Sequence, residues 1–508
     1  MSTVTCAACG RTAAPSGLYC GGCGAALGVP AGPREGEDRD LTRYLCAAAY
    51  LNREFAASLV EDVASEPHLG VAPAPACDVP VVLRHAYYAV IRRHQRDVLL
   101  AVEAVLLLVF LFAGAPAGLE LVVLLGSWVT VFGFEMSTRY GRHLQSLRPQ
   151  RFRPERAPVI PNPAVEERIA GVARYTGGNT TVYSGYSPFM GHGEQSDSWS
   201  FSLDLKRTGE FGEQPTTFDV QELYAHVARR LAELSLPGLQ LEERLFVDGD
   251  AVADDPRFLP DPFGRPVASV SRELVDRLKR EPEDRARVYL AVHATGWRGD
   301  LVTSYFIRFA RSDSSLLVEG VHTVLCPLRE QYRVIDTLMP TPTFRECVEH
   351  LVESLAATPL ALAAAPFRAT AWFLSEFLLR RRLRRQDRRI RLLRVFDYGA
   401  RVGIRQQASD AQYHRYFQKY DSGVVLKVCE RRSLDALVEF AQEHGVDVGD
   451  LVRNQRTIVN NGIIATGGAS VQGNSVASGE SSRATSGSIR EAVKDTVKEA
   501  AIGVRDKI

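Results

Sequence analysis

Four cysteines near the N-terminus have the residue type and spacing that hold a metal ion. They form two Cys-x-x-Cys pairs, Cys6 with Cys9 and Cys20 with Cys23, and a glycine follows each pair. Two thiolates three positions apart on a tight turn can face one ion, and a second pair completes a tetrahedral site. The spacing therefore predicts one Zn²⁺ held by these four cysteines. Because such a site is closed, we expect it to support folding or docking and not catalysis.

The other five cysteines are scattered along the chain, which fits a reducing compartment better than a disulfide framework. Residues 1–27 also lack the basic segment and apolar run of an export signal, so we expect this segment to stay in the cytosol. It resembles the short zinc ribbons found at the start of many bacterial proteins. Two local disulfides or a redox dithiol are the alternatives.

The length and the net charge of the chain limit which kinds of protein it can be. A chain of 508 residues is long enough for several domains, and we predict a multidomain protein. Its formal net charge of +1 gives no global reason to expect a nucleic acid partner. Any electrostatic argument must therefore be local.

Two apolar runs, residues 98–113 and 119–134, are separated only by the small turn Gly-Ala-Pro-Ala-Gly. Together they predict an α-helical membrane hairpin over 98–134, because a span needs about 20 apolar residues. Arginines flank both outer ends and the turn has none. By the positive-inside rule both termini are then cytosolic, and the hairpin lies in the inner (cytoplasmic) membrane. A buried hairpin in a soluble core is the alternative.

The segments around the hairpin differ in composition. Residues 28–39 have the Gly, Pro and charge of a linker, and residues 40–97 have helical periodicity. Residues 135–165 form a basic, Pro-rich linker, and residues 166–340 predict a cytosolic α+β domain. Within it, three strand patterns joined by short turns indicate an antiparallel sheet: 287–294, 301–310 and 316–326.

A Gly/Ser-rich loop at residues 184–193 is the candidate ligand site of this domain, with Ser184, Ser187 and His192 as its polar contacts. Its glycines would allow a ligand to approach the backbone closely. The loop matches neither a P-loop nor a nucleophile elbow, so no catalytic residue is predicted. A structural connection between two strands is the alternative, and His293 and His322 fit structural histidines of strands.

Residues 341–395 form an Ala/Leu- and Arg-rich helical segment that Pro359 and Pro366 interrupt. A third span would carry the tail outside against the arginine distribution, so we predict a helix on the inner leaflet, held by apolar contact and anionic lipid. A solvated charged helix is the alternative, and nucleic acid binding is less favoured because few aromatic residues interleave the arginines. Residues 396–456 predict a small α/β or helical segment.

The tail at residues 457–488 is rich in Gly, Asn and Ser, and its first part carries no charge. Its paired β-branched residues, such as Ile463-Ile464, permit in-register stacking between copies, whereas a flexible linker is the alternative. Val471-Gln472-Gly473 is similar to part of the apolar-Gln-apolar-Gly core of RHIM-type amyloid signalling motifs. Residues 489–508 predict an amphipathic helix. The tail therefore suggests a homo-oligomer.

The order of the paired cysteines, the hairpin and the Asn460-Asn461-Gly462 tail resembles that of actinobacterial zinc-ribbon membrane proteins, and this resemblance implies no particular activity. The first hypothesis is a non-enzymatic membrane scaffold or sensor whose ribbon and tail recruit a protein partner or further copies. The second is a ligand-binding receptor or enzyme that uses the loop at 184–193.

Overall fold

The computed structural model describes residues 4–5, 12–13, 37–207, 215–453 and 455. A helical layer built largely from the first third of the chain packs beside a six-stranded sheet. The four paired cysteines, the tail at 457–488 and the helix predicted at 489–508 lie outside the described residues. The described residues up to 453 belong to one compact unit, and a second unit begins at Gln455.

The helices of the described residues are α1 (Glu37–Leu51), α2 (Arg53–Ser58), α3 (Val79–Ala113), α4 (Ala117–Arg139), α5 (Arg142–Ser146), α6 (Pro163–Thr176), α7 (Val220–Ala232), α8 (Arg272–Arg280), α9 (Val334–Thr337), α10 (Phe344–Leu393), α11 (Ile404–Ala408) and α12 (Tyr416–Glu443). A π-helical turn, Leu59–Ala64, continues α2.

Local sequence signals explain where the two longest helices, α3 and α10, begin and where α3 ends. The Asp78 side chain accepts a hydrogen bond from the Val81 amide at the start of α3, and a proline occupies the first turn. Gly114 ends α3 in the left-handed region at φ 65°, where a glycine is favoured. Thr343 and Glu346 form a capping box at the start of α10.

The strands of the described residues are β1 (Val4–Thr5), β2 (Thr12–Ala13), β3 (Thr180–Tyr183), β4 (Glu194–Asp204), β5 (Leu239–Asp248), β6 (Ala286–Gly296), β7 (Leu301–Arg311) and β8 (Ser315–Leu325). β1 and β2 form an antiparallel pair. The main sheet has the order β3-β5-β6-β7-β8-β4. β3 is parallel to β5 and all other neighbours are antiparallel.

The sheet is therefore mixed, which corrects the expectation of an antiparallel sheet. The predicted meander is present as β6, β7 and β8, because short turns force antiparallel neighbours. β3 reaches its partner β5 only after β4 and α7 intervene in the chain, and a connection this long allows a parallel pairing.

The two faces of the main sheet are covered differently. α7 and α12 cover one face, where Leu290, Ile307 and Val318 are completely buried. Burying one such side chain stabilises the fold by about 1.5–3 kcal/mol. On the other face Phe246, Ala291 and Phe306 pack against Phe189 of the loop that follows β3. The loop at 184–193 thus covers a hydrophobic core on this face of the sheet.

The helical layer shares its core with segments from the second half of the chain. Leu45 of α1, Phe55 of α2 and Val82 of α3 pack in one cluster with Tyr332 and with Ile404 of α11. α3 also runs without a break across the boundary expected at 97/98. The helical segment predicted at 40–97 therefore shares one core with later parts of the chain and is not a domain of its own. A multidomain organisation of the whole chain stays a prediction.

Two helices of the described residues are long and apolar enough to cross a membrane by length and composition, Ala117–Ser146 and Phe344–Leu393. The first contains the second half of the predicted hairpin. The second contains α10, which continues through Pro359 and Pro366 instead of being interrupted there. Near Pro366, side-chain donors of Thr370 and Arg368 bond to the carbonyls of Pro366 and Ala361.

Candidate functional site: the loop on the sheet and the helical hairpin

Two of the three glycines in the loop at 184–193 lie against protein backbone, whereas Gly185 faces open space. Gly191 has φ 88°, and a Cβ there would lie 2.2 Å from the Pro73 carbonyl oxygen. Gly193 has φ 93°, and its Cβ would lie 2.2 Å from the Val324 carbonyl oxygen. Both positions require glycine for conformation and for space. These two glycines therefore fasten the loop between the helical layer and β8.

The structure separates the three side chains that the sequence analysis grouped as a ligand site. Ser184 is half-buried and its hydroxyl donates to the Asp397 carboxylate, while Ser187 is exposed. His192 is buried and stacks on His293 with ring centroids 5.0 Å apart. The three side chains therefore do not converge on one point in this structure.

His192 belongs to a buried polar cluster beneath the loop. Burial, together with the neighbouring His293, lowers the pKa of His192 well below its usual value, so the ring is neutral. Neither ring nitrogen has a hydrogen-bond partner among the described residues. Thr323 Oγ1 instead bonds to the His192 carbonyl at 3.0 Å, which fixes the backbone.

A serine, a histidine and a glutamate are joined by hydrogen bonds within this cluster. His293 Nδ1 lies 2.8 Å from Ser304 Oγ, and its Nε2 lies 3.0 Å from Glu242 Oε1. Burial alone would raise the pKa of Glu242, but Arg244 and His293 outweigh it and hold that pKa well below its usual range. Ser304 is completely buried, so its hydroxyl is not open to a substrate. The arrangement satisfies buried polar groups and joins three strands.

The hairpin is formed by α3 and α4 around the turn at 114–116. Most apolar side chains of its tip are exposed, with Phe112 at 90 % and Val122 at 64 %. Glu103 Oε1 of α3 accepts a hydrogen bond from Thr130 of α4 at 2.8 Å, while its Oε2 is buried without a hydrogen-bond partner among the described residues. At the opposite end from the tip, Arg92 donates to the Ser137 hydroxyl. The tip of the hairpin is thus apolar and its base is polar.

α10 lies across this hairpin. Trp128 Nε1 of α4 donates to Ser354 Oγ at 3.1 Å, and Leu362 of α10 packs with Leu100 and Val131. Further along, the Trp372 ring stacks on His94 of α3 at 3.7 Å.

The two ends of this contact surface are far apart on α10 but close together on the hairpin. His350 lies 3.3 Å from Arg139, near the Arg92–Ser137 contact, and Trp372 lies against His94 at the same end. Residues 350 and 372 are about 33 Å apart along a straight helix. A helix parallel to the hairpin would reach the apolar tip over that length, so α10 crosses the hairpin away from the tip.

The AbeC-like domain family model matches residues 198–472, which is more than half of the chain. The chain belongs to the AbeC-like domain family. The AbeC-like domain includes most of β4, β5 to β8 and α7 to α12, so the meander and α10 are inside it. α3, α4 and the loop at 184–193 precede it. Comparison with curated proteins and with solved structures gives no significant match.

A buried carboxyl group joins α12 to the edge of the sheet within the AbeC-like domain. Glu430 is 4 % exposed, and its Oε1 accepts a hydrogen bond from the Trp199 indole. The indole lies over Gly320 of β8, where a Cβ would come within 2.4 Å of it. His322 Nε2 lies 3.4 Å from Glu430 Oε1 without forming a hydrogen bond. Glu430 was not singled out from the sequence, because residues 396–456 gave only a small α/β or helical segment and no pairing with β4.

The ionisation of this pair is unfavourable in the folded state. Burial, followed by Asp197, raises the pKa of Glu430 to about 7, although Trp199 and Lys427 act in the opposite direction. Burial lowers the pKa of His322 to about 4. At neutral pH His322 is therefore neutral, and Glu430 holds its proton at a higher pH than an exposed glutamate does.

Glu430→Gln is expected to stabilise the protein at pH 8 and to have little effect at pH 4.5. The pKa of Glu430 is about 7 when folded against 4.5 for an unperturbed glutamate, so wild-type stability falls as pH rises through this window. The total loss is about 3 kcal/mol. Thermal unfolding of the full chain in detergent at both pH values measures it, with the exposed Glu443→Gln on the same helix as the control. Equal shifts for both variants at pH 8 would contradict the assignment.

Proposed function

We propose that this protein is a non-enzymatic, membrane-anchored scaffold or sensor whose hairpin at 98–134 is inserted into the cytoplasmic membrane. The exposed apolar tip of α3 and α4 carries this proposal. Val105, Val109 and Phe112 of α3 and Leu121 and Val122 of α4 are each more than half exposed. Exposed apolar surface on this scale is costly in water and favourable in lipid. The two candidate spans support membrane association in general.

The distribution of arginines supports an orientation with both ends of the hairpin in the cytosol. Arg142, Arg151, Arg153 and Arg156 line a cleft of about 430 Å³ just after α4. Arg92, Arg93 and Arg96 precede the apolar part of α3, and the turn at 114–116 has no charge. Basic residues are retained on the cytosolic side during insertion.

α10 fits a helix that lies on the inner leaflet. It crosses the hairpin away from the apolar tip, and Phe367, Phe373 and Phe377 on its surface are each more than half exposed. Five arginines between 380 and 385 follow this apolar surface directly. An apolar face with an adjoining basic segment is typical of helices that bind anionic membrane surfaces.

The N-terminal ribbon and the tail are proposed to recruit partners. A closed Zn²⁺ site at Cys6, Cys9, Cys20 and Cys23 would provide a small folded docking module, and the tail at 457–488 would bind further copies of the chain. Support for the first comes from β1 and β2, which pair antiparallel on either side of residues 6–11.

Reporter insertions test the topology of the full chain. Fusions at Ala25 and at Pro161 are expected to behave as cytoplasmic, and an insertion at Ala115 in the hairpin turn as exported. The physical reason is the asymmetry of the arginines, which are present at both outer ends and absent from the turn. A cytoplasmic signal at Ala115, or an exported one at either other site, is incompatible with the proposed insertion.

One observation supports the alternative hypothesis that the protein is a ligand-binding receptor or an enzyme. Ser184 of the loop donates to Asp397, and Asp397 lines the large cleft between α10 and the helical layer. The loop can therefore respond to a ligand in that cleft without binding it directly.

A further inference from the structure

A cleft of about 1300 Å³ lies between α10 and the helical layer. Its walls include side chains from 53–65, from 87–97 of α3, from 368–389 and from 395–401. Ten of the lining residues are arginines and four are aspartate or glutamate. The cleft is therefore strongly cationic, although the formal net charge of the chain is only +1.

Ion pairs neutralise only part of this charge. Arg368 Nε lies 3.4 Å from Asp97 Oδ2, and Arg382 Nη1 lies 3.3 Å from Glu61 Oε1. Three exposed arginines of the cleft have no carboxylate oxygen within 4.0 Å among the described residues: Arg381, Arg385 and Arg389. Since arginine does not lose its proton at physiological pH, these groups repel one another unless an anion is present.

Arg93 shows the same excess of positive charge on the opposite wall. One of its terminal nitrogens donates to the Tyr50 carbonyl, and the other is buried without a hydrogen-bond partner among the described residues. Burial, followed by the nearby Arg53 and Arg96, lowers the pKa of Arg93 to about 10. A buried cationic donor without a partner is costly, and a bound anion would satisfy it.

The cleft opens at the level where α10 changes from apolar to basic. Trp372, stacked on His94, lines the part of the cleft next to the apolar part of α10. Phe373 and Phe377, close to Trp372 on the same helix, are 62 % and 59 % exposed. The arginines at 380–389 line the part beyond them. Tryptophan is enriched at the level of lipid headgroups, with acyl chains on one side and water on the other.

We propose that this cleft binds a phosphoryl group, and that the source of that group is the headgroup of an anionic phospholipid. The guanidinium fork matches the geometry of phosphate oxygens and can bind two of them at once. The phosphate chemistry follows from the cleft alone, whereas the lipid source rests on the membrane placement proposed above. A free phosphate compound is the other source of the same chemistry.

Binding is measured on the full-length protein in detergent. The probes are dihexanoyl phosphatidylglycerol, dihexanoyl phosphatidylcholine as the zwitterionic control, and inorganic pyrophosphate as a free phosphate. The test variant is Arg385→Gln with Arg389→Gln. The matched control is Arg384→Gln with Arg388→Gln, which removes the same charge from exposed positions of the same helix that do not line the cleft.

Phosphatidylglycerol is expected to bind the wild-type chain, and phosphatidylcholine is not. The cleft variant should bind at least about tenfold more weakly, because each arginine near a phosphate contributes severalfold to the affinity. The control variant should stay within about twofold of wild type, since its side chains lie outside the cleft. Pyrophosphate should compete with phosphatidylglycerol on the wild-type chain, which keeps the test valid if the cleft variant does not fold.

The other outcomes separate the sources and the proposals. If pyrophosphate binds with this variant dependence and phosphatidylglycerol does not, the phosphoryl site stands and the lipid source is wrong. An equal loss in both variants, or no binding of either anion to wild type, overturns the site. Membrane fractionation is scored independently, so a protein that binds pyrophosphate but stays out of membranes contradicts the anchor and not the cleft.

Discussion

Cys20→Ser is expected to reduce the zinc content of the protein from one ion per chain to none. A closed site needs all four sulfur ligands, and the apparent free energy of binding such a structural zinc is about 10–16 kcal/mol. A segment as short as residues 1–27 cannot build a hydrophobic core that would replace it. Metal analysis of the purified full-length chain measures the loss directly.

Cys347→Ser is the control for this experiment. Cys347 is a free, half-buried cysteine of α10, and its replacement should leave the zinc content unchanged. Among the described residues no group of three or more histidine, cysteine or acidic side chains could hold a metal ion. A zinc content that stays at one ion per chain in Cys20→Ser would contradict the predicted four-cysteine site.

The hairpin was predictable because its signals are local. Two apolar runs and a turn of small residues stand next to each other in the sequence, and Gly114 ends α3 where the pattern places the break. The meander was predictable for the same reason, since its strands β6, β7 and β8 follow one another with short turns.

The edges of the sheet were not predictable, because they depend on contacts between distant parts of the chain. β4 pairs with β8, more than a hundred residues later, and β3 pairs with β5 in parallel. The first half of β4 consists of exposed polar residues without an alternating apolar pattern, so it carries no strand signal in the sequence. A polar edge strand of this kind discourages pairing with other chains.

The loop at 184–193 shows how one sequence pattern fits two structural roles. Glycines that would let a ligand approach the backbone also let Pro73 and Val324 approach it, and the structure uses Gly191 and Gly193 for the latter. The arginine cleft shows that a site can also be hidden because its two walls are far apart in the sequence. The basic run at 380–385 was evident, but Arg93 and Asp97 opposite it lie almost 300 residues earlier.

Arg405→Met is expected to destabilise the protein by about 3–5 kcal/mol. The Arg405 side chain is completely buried and donates to three backbone carbonyls. They belong to Pro75 of the helical layer at 2.8 Å, and to Gly299 and Asp300 of the turn between β6 and β7 at 2.5 and 3.1 Å. Methionine fills much of the volume but leaves these buried acceptors without the guanidinium.

The turn that Arg405 holds is strained, which makes the effect larger than a lost contact. Trp297 and Arg298 have φ values of 55° and 57°, in the left-handed region that favours glycine. Each such residue costs about 1–3 kcal/mol and persists only where its surroundings fix it. Without Arg405, the turn should relax first and the connection between the helical layer and the sheet should weaken with it.

Two measurements on the full chain in detergent separate these steps. Denaturant unfolding gives the global loss, and hydrogen exchange at 297–300 reports the turn, where Arg405→Met should exchange faster well below the unfolding midpoint. Arg431→Met is the matched control, because Arg431 is 71 % exposed and pairs only weakly with Asp435 at 3.9 Å. If Arg405→Met unfolds like Arg431→Met, the buried guanidinium does not join the two layers, whereas a large global loss with unchanged exchange at the turn would exclude strain there as the cause.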